Sequence, residues 1–570
     1  MALALPALAP LQELLQQWYF SCTVVLIVLL MPLLFLVPIR IWPGSRKARV
    51  NLPPGPPRLP ILGNLHQLGP QPHRSLRDLA LRHGPVMLLQ LGMVPTLVVS
   101  SAEAAREVMK VQDADCCSRP DMPGARRLSY GHKDVAFAPY GEYWREMRKL
   151  VVIELLSMRR VHATWYIREA QYDMLDFENA PCKLFCLRPD KASINQYKFQ
   201  VDKLISCLSS AQQKPVVLDD YIFRAMDGII GSMALGNIYG TEQFAYKKHF
   251  QDVFNEAFRI KSSFSYENYF PNAFGHLVDC VTGLVSLRER VYWELDAFYD
   301  IIIDQHLDPS HPTQDNGPDF IDILIGLMKK HQSSLQFTRD HIKGLLSDVF
   351  LGGVDTSSIT MTWAMAEMIR KPWVLKKVQD EIRAAVGNKV RVQPDDMSKL
   401  RYLKMVIKET MRLHPPAPFL VPRENLRPVK ISGYDVPAKT RLLVNTFALG
   451  RDPASWDNPE KFDPDRFEGK NVDLSGSHFE LVPFGAGRRM CPGLNIGVTT
   501  MEFMLANLLY CFDWKLPEGV NEEDISMEEA GQGLTVHKKM PLVLVPIKYE
   551  RQGGVSYENQ IRLRNMRTPI

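Results

Sequence analysis

The residues with the plainest chemistry lie between Phe484 and Gly493, in the order Phe-Gly-Ala-Gly-Arg-Arg-Met-Cys-Pro-Gly. Cys491 offers a thiolate, the form of cysteine that binds a metal. Gly485, Gly487 and Gly493 flank it, so the backbone can turn tightly and let a flat ligand approach closely. Backbone N–H groups in such a turn can point at the sulfur and tune its electron donation. Arg489 adds a rigid fork for a carboxylate. Beyond Pro492, the apolar run Leu494 to Leu509 predicts a helix whose positive end faces the thiolate. The competing account is a structural cysteine in a glycine-rich turn.

A second constellation is Gly352-Gly353-Val354-Asp355-Thr356-Ser357, inside a run of helical period from Ile342 to Arg370. Two glycines in a helix interior cost roughly 1 kcal/mol each against alanine. A ligand pressed against the helix explains that cost, although a plain kink would too. Asp355 and Thr356 then put an acid and an alcohol beside the ligand, a pair suited to moving protons.

The cysteine segment fits the pattern Phe-x-x-Gly-x-Arg-x-Cys-x-Gly and resembles the haem-binding loop of the cytochrome P450 family. The Gly-Gly-x-Asp-Thr stretch resembles that family's oxygen-binding helix. Glu409-Thr410-Met411-Arg412, followed by His414-Pro415-Pro416, is similar to its buried Glu-x-x-Arg pair, and Arg466 in Pro464-Asp465-Arg466-Phe467 resembles the third member of that network. The form resembles plant microsomal members (A-type), whose lead-in is similar to Phe137-Ala138-Pro139-Tyr140-Gly141.

The resemblance implies a mainly α haem-thiolate fold with small β-sheets and haem b as cofactor, its iron held by Cys491. It implies Thr356 and Asp355 as proton-handling residues, and Phe484, Gly487, Arg489 and Gly493 as the cofactor loop. Trp144 and Arg148, one turn apart on a helix face, would meet a haem propionate, with Arg423 and Arg489 as further partners. Glu409, Arg412 and Arg466 would brace the fold. The implied reaction inserts one oxygen atom from O2 into a lipophilic small molecule such as a terpenoid, phenylpropanoid or alkaloid. Electrons would come from NADPH through a membrane-bound reductase, since the chain has no flavin or nicotinamide motif of its own. Two other functions stay open: an isomerase or dehydratase on the same fold that does not use O2, and a non-catalytic, membrane-tethered haem binder.

The elements that must position these residues are legible to different degrees. The chain has 570 residues, 46% hydrophobic and 23% charged, with a formal net charge of +5. That allows a large core, and without a basic stripe it gives no reason to expect nucleic acid. Nine cysteines without regular spacing make a poor disulfide framework. Cys182 and Cys186 lack a second Cys/His pair nearby and read as unligated thiols.

Residues 1–17 read as a lumenal segment and 18–39 as a transmembrane anchor of apolar character. The features of a cleaved signal peptide are missing. Arg40, Arg46, Lys47 and Arg49 put the following body on the cytosolic side, for which the family resemblance implies the endoplasmic reticulum membrane. A basic and proline-rich hinge spans 40–57, with Pro53-Pro54-Gly55-Pro56-Pro57 stiff and extended. The catalytic body then covers 58–548.

Helices are expected at Trp144–Met158, Phe250–Ile260, Leu287–His306 and Ile342–Arg370. Strands are expected at Val86–Leu91, Thr96–Ser100, Val429–Ile431 and Arg441–Asn445. Residues 171–199 interrupt this order as an atypical insertion between two helix-like stretches, and 549–570 read as a disordered tail.

Overall fold

The computed structural model describes residues 51–157, 200–211, 213–236, Val253, Phe254, Glu256, Ala257, Ile260, 265–309, 318–330, 336–530 and 533–550. The expected anchor at 18–39, the insertion at 171–199 and most of the tail at 549–570 lie outside the described residues. Among those described, no helix is long and apolar enough to cross a membrane.

Runs rich in leucine and valine build β1 (Val86–Leu91) and β2 (Val94–Val99), an antiparallel pair joined at Gly92-Met93. Gly92 sits at φ +60°, and a Cβ there would come within 2.6 Å of Tyr269 O, so only glycine fits the turn. The segment Val216–Val217 is β3. Four short strands follow: β4 (Arg423–Glu424), β5 (Val429–Ile431), β6 (Tyr434–Val436) and β7 (Arg441–Val444). The first sheet runs β1-β2-β7-β4, with β2 and β7 parallel and β4 antiparallel to β7. That order hangs Arg423 on a sheet edge, facing inward and buried. Strands β8 (Phe512–Lys515) and β9 (Val543–Lys548) join β3 in a second sheet, β3-β9-β8.

The rest is helical. The principal elements are α1 (Glu142–Leu150), α2 (Gln200–Ser210), α3 (Leu218–Leu235), α4 (Ala273–Val281), α5 (Leu284–Leu307), α6 (Arg339–Phe350), α7 (Thr356–Arg370), α8 (Arg401–Leu413) and α9 (Leu494–Cys511). Every residue from Ser357 to Ile369 in α7 is buried, the mark of a helix enclosed by others. It packs against α3, α8 and α9. Helix α9 is buried without a break from Phe503 to Tyr510. The expected cysteine-flanking helix is therefore present and runs two residues longer.

Two helices depart from expectation in the same way. The run Ile342–Arg370 is split into α6 and α7 by a π-helical turn at Leu351–Asp355. Likewise α1 passes into a π-helical turn at Val151–Leu155. A π turn holds one residue more than an α turn and widens the helix locally, often at functional sites. Hydrophobic periodicity cannot resolve so small an offset.

Candidate functional site

The site forms where the loop before α9 meets the π turn before α7. Gly485 and Gly487 take φ of +69° and +68°, and the Cys491 N–H donates to Phe484 O at 2.9 Å, closing the loop. The thiol accepts backbone hydrogen bonds from Gly493 and Leu494, the start of α9. Burial pushes its pKa up, and those two N–H groups with the Arg148 guanidinium pull it back only in part. A thiolate here therefore needs a cation, and a coordinated metal supplies one. Cys491 lies deep among protein atoms yet keeps part of its surface accessible, as does a side chain lining an internal opening.

The opposite wall is the π turn. Gly352 is exposed although Leu351, Val354 and Asp355 are buried, and a Cβ on it would meet nothing within 4 Å. Gly353 turns the other way, where a Cβ would come 2.8 Å from Ile230 Cδ1. The Thr356 hydroxyl donates to Gly352 O at 2.6 Å, four residues back. A Cβ on Gly497 of α9 would sit 3.9 Å from Ser357 Oγ and 4.0 Å from the Phe484 ring. The two glycine-rich segments, well over a hundred residues apart in sequence, thus border one space. Asp355 is buried; Thr535 Oγ1 donates to its Oδ2 at 2.9 Å, and His537 Nε2 lies 3.1 Å from its Oδ1.

The arginines surround the cysteine loop. Arg148 of α1 donates to Met490 O, next to the cysteine. Arg489 donates to Cys117 O at 2.7 Å, Val135 O at 3.2 Å and Ala138 O at 2.6 Å. Its guanidinium lies 4.1 Å from the centre of the Trp144 ring, while Trp144 Nε1 donates to Val135 O at 3.1 Å. Arg423 reaches Asp113 Oδ1 at 2.8 Å and Ala486 O at 2.7 Å. Arg145 and Lys149, the other cations of α1, are exposed.

Two members of this group had no signal in the sequence. Asp113 accepts from the Arg488 backbone N–H at 2.8 Å and from its side chain at 3.1 Å, beside Arg423. Arg119 is buried and donates to Ala136 O, Val421 O and Pro422 O. Their partners lie far away in the chain, so no local spacing announces them. Burial above all pulls the Arg119 and Arg489 pKa values down, with Arg489 and Arg423 adding to it at Arg119 and Arg423 and Arg148 at Arg489, against Cys117 and Asp134. Arg119, Arg148 and Arg489 donate to neutral carbonyls, and Asp134 is the carboxylate that acts on both Arg119 and Arg489, so among the described residues the guanidiniums here outnumber the carboxylates. That suits a ligand carrying carboxylates, such as a haem with its propionates.

Behind the loop, Arg412 donates to both Glu409 oxygens at 2.7 and 2.8 Å, and Arg466 to Oε1 at 3.0 Å. Glu409 and Arg412 are almost fully buried. Arg412 also binds the carbonyls of Gly450, Pro459 and Lys461. The network ties α8 to the 450–466 segment.

A buried thiol at a glycine turn, an opposing π turn and a collar of guanidiniums define the site of a thiolate-ligated, carboxylate-bearing prosthetic group. The cytochrome P450 family profile matches residues 53–177 and 193–545, pausing only within the 171–199 segment. The chain is 54% identical to 4-hydroxyphenylacetaldehyde oxime monooxygenase of Sorghum bicolor, covering 94% of this chain and 97% of that enzyme. It is 44% identical to 2-methylbutanal oxime monooxygenase of Manihot esculenta, covering 92% and 97%. A solved zebrafish cytochrome P450 with abiraterone shares the fold at a TM-score of 0.66 and 22% identity, covering 85% of this chain and 100% of that one. The chain belongs to the cytochrome P450 family. It is a haem-thiolate monooxygenase that uses O2, a redox partner and a small-molecule substrate.

Proposed function

We propose that this enzyme oxidises an aldoxime with a short aromatic or branched aliphatic side chain. The observation that carries this is the near full-length similarity to two plant oxime monooxygenases, at 54% and 44% identity. Haem, once bound, supplies the redox chemistry that splits dioxygen. Cys491 holds its iron. Arg148, Arg423 and Arg489 neutralise the propionates, with Trp144 packed under the Arg489 guanidinium. Phe484, Gly487 and Gly493 shape the loop so that the ring can lie against it. Gly352 would leave room on the opposite side, where the Thr356 hydroxyl and the Asp355 carboxyl would hold and move protons. Glu409, Arg412 and Arg466 tie the 450–466 segment to α8.

The electron donor we propose is an NADPH-dependent reductase in the same membrane. A single anchor at 18–39, followed by the 40–57 hinge, would hold the 58–548 body on the cytosolic face of the endoplasmic reticulum. What supports attachment is a second apolar surface on the body. Phe274, Leu277 and Val281 of α4 are 51%, 60% and 62% exposed and share one helix face. Beside them lie Met93, whose N–H donates to Tyr269 O, and Leu62, whose carbonyl accepts from Gly92. Exposed apolar groups gathered in this way mark a membrane or partner contact.

The test is expression in microsomes, reduction and addition of carbon monoxide, followed by turnover with NADPH. The red-shifted Soret band of thiolate-ligated haem should appear. 4-Hydroxyphenylacetaldehyde oxime and 2-methylbutanal oxime should be consumed in preference to terpenoid and phenylpropanoid substrates. Lack of the band, or equal consumption of non-oxime substrates, would refute the proposal.

A further inference from the structure

A buried acid that hands on its proton must be resupplied, and among the described residues His537 beside Asp355 is able to do so. Its carboxylate side chain is only 12% exposed, so bulk water has little access. Thr535 fixes one oxygen at 2.9 Å and can relay a proton but cannot store one. His537 stands 3.1 Å from the other oxygen, and its side chain is 49% exposed. One edge of the ring therefore meets the acid while the rest reaches water. The strand register explains the placement: β9 pairs with β3 at the entrance to α3, which swings residues 533–537 against the π turn. Val536 N–H donates to Pro416 O at 2.9 Å and pins the segment.

We propose that His537 is the positioning residue that reloads Asp355 with protons from solvent during turnover; this rests on the monooxygenase mechanism above. In the step, the imidazolium Nε2–H bond breaks, its electron pair stays on nitrogen, and the proton goes to Asp355 Oδ1. The products are a neutral imidazole and a carboxylic acid. The exposed ring then takes a proton from hydronium or a buffer acid, and no redox partner is involved.

The charges around the ring favour the loaded form. Burial lowers the His537 pKa, but Asp355, and Asp219 at the start of α3, raise it further, and the net shift is upward. Lys538 follows in the chain and is acted on by the same Asp219. Asp219 Oδ2 accepts from Leu542 N–H at 3.3 Å, and the Thr362 side chain also hydrogen-bonds the carboxylate. The imidazolium is present below this raised pKa, so proton supply should fade as pH rises through it.

The experiment uses the full chain in microsomal membranes. First, the rate of His537 carbethoxylation is followed against pH by peptide mass spectrometry, in the wild type and in Asp355→Asn. The wild-type midpoint should lie above that of ordinary surface histidines and should fall when the charge on Asp355 is removed. Second, product formed per NADPH consumed is measured against pH for the wild type, His537→Gln and His537→Ala. Glutamine can still contact Asp355 but cannot ionise. It should therefore couple about 10-fold less well at neutral pH, a smaller loss than the 10²–10⁴ of a general acid because water can partly substitute, and it should lose the pH dependence.

A purely structural role predicts the opposite: Gln restored to wild-type coupling with an unchanged pH profile, and only Ala impaired. That outcome, or a His537 midpoint that ignores Asp355→Asn, overturns the relay. Failure of the mechanism itself looks different, because it removes the carbon monoxide band or the uncoupling by Thr356→Ala in a chain whose His537 is intact.

Discussion

Gly485 and Gly487 share a left-handed backbone, at φ +69° and +68°, but not their surroundings, and alanine at each should give very different enzymes. Both substitutions force a Cβ into the left-handed region, at a cost of about 1–2 kcal/mol. At Gly485 little more follows, for the nearest atom to the new Cβ is Leu420 Cδ1 at 3.6 Å. At Gly487 the Cβ would overlap the Met109 carbonyl oxygen and lie 2.8 Å from the Asp113 carboxylate.

Backbone cannot retract as a flexible side chain can, so overpacking adds about 1–3 kcal/mol. Asp113 also holds Arg423 at 2.8 Å and the Arg488 N–H at 2.8 Å. Displacing it gives up part of the ~3–5 kcal/mol associated with breaking a buried pair. Gly487→Ala should therefore exceed Gly485→Ala by roughly 2–5 kcal/mol, about 1.5 to 3.5 powers of ten in the population of haem-competent loop. The assay is the reduced carbon monoxide difference spectrum per mole of polypeptide over a series of added haem concentrations. Gly485→Ala should saturate near wild type and Gly487→Ala should stay largely unloaded. If the two variants load alike, the contact argument is wrong and only the shared backbone strain matters.

Other perturbations test separate parts of the structure. Arg412→Met removes the guanidinium fork from Glu409, leaving it Arg466 and the Asp463 N–H, and takes the Arg412 donor from the Gly450 and Pro459 carbonyls, so it should cost about 3–5 kcal/mol. Arg466→Met, which leaves the Arg412 fork in place, should cost clearly less in thermal unfolding, and equal losses would contradict the geometry. Burial would raise the Glu529 pKa, but hydrogen bonds from His73 and Arg74 bring it down to about 2. Its carboxylate should therefore contribute roughly 3 kcal/mol, at 1.36 kcal/mol per unit, above about pH 4.5, a contribution lost as pH falls toward 2. The stability gap between wild type and Glu529→Gln should close over that window, and a gap unchanged with pH would disprove the linkage. Gly352→Ala should stabilise the haem-free chain by up to ~1 kcal/mol through helix propensity while weakening oxygen-dependent turnover; Gly353→Ala must move Ile230 and should destabilise it. Thr356→Ala should keep the carbon monoxide band but release product from only a small share of the NADPH consumed.

Much of the site was legible in the linear chain because it is made of local patterns. The cysteine loop and the Gly-Gly-x-Asp-Thr turn each act through neighbouring residues, and Glu409 and Arg412 lie one helical turn apart. Strand β5 begins and ends where its alternation does, and β1 coincides with an apolar run that only Gln90 breaks. What stayed hidden depends on contacts between distant segments. Asp113 meets Arg488 across 375 residues, and Arg119 meets Pro422 across 303. Strands such as β3 and β4, two residues each, are too short to carry a period and exist only because a partner strand is in register.

The same division explains the chemistry. The sequence by itself determined that a thiol sits in a glycine-rich turn and that an acid and an alcohol follow a pair of glycines, since residue type and near-neighbour spacing set those. Tertiary structure alone decided which buried guanidiniums donate to neutral carbonyls, which glycine faces an opening and which faces Ile230. It also decided that His537 stands beside Asp355. Burial and electrostatic coupling are properties of three-dimensional neighbours, and those neighbours come from every part of the chain.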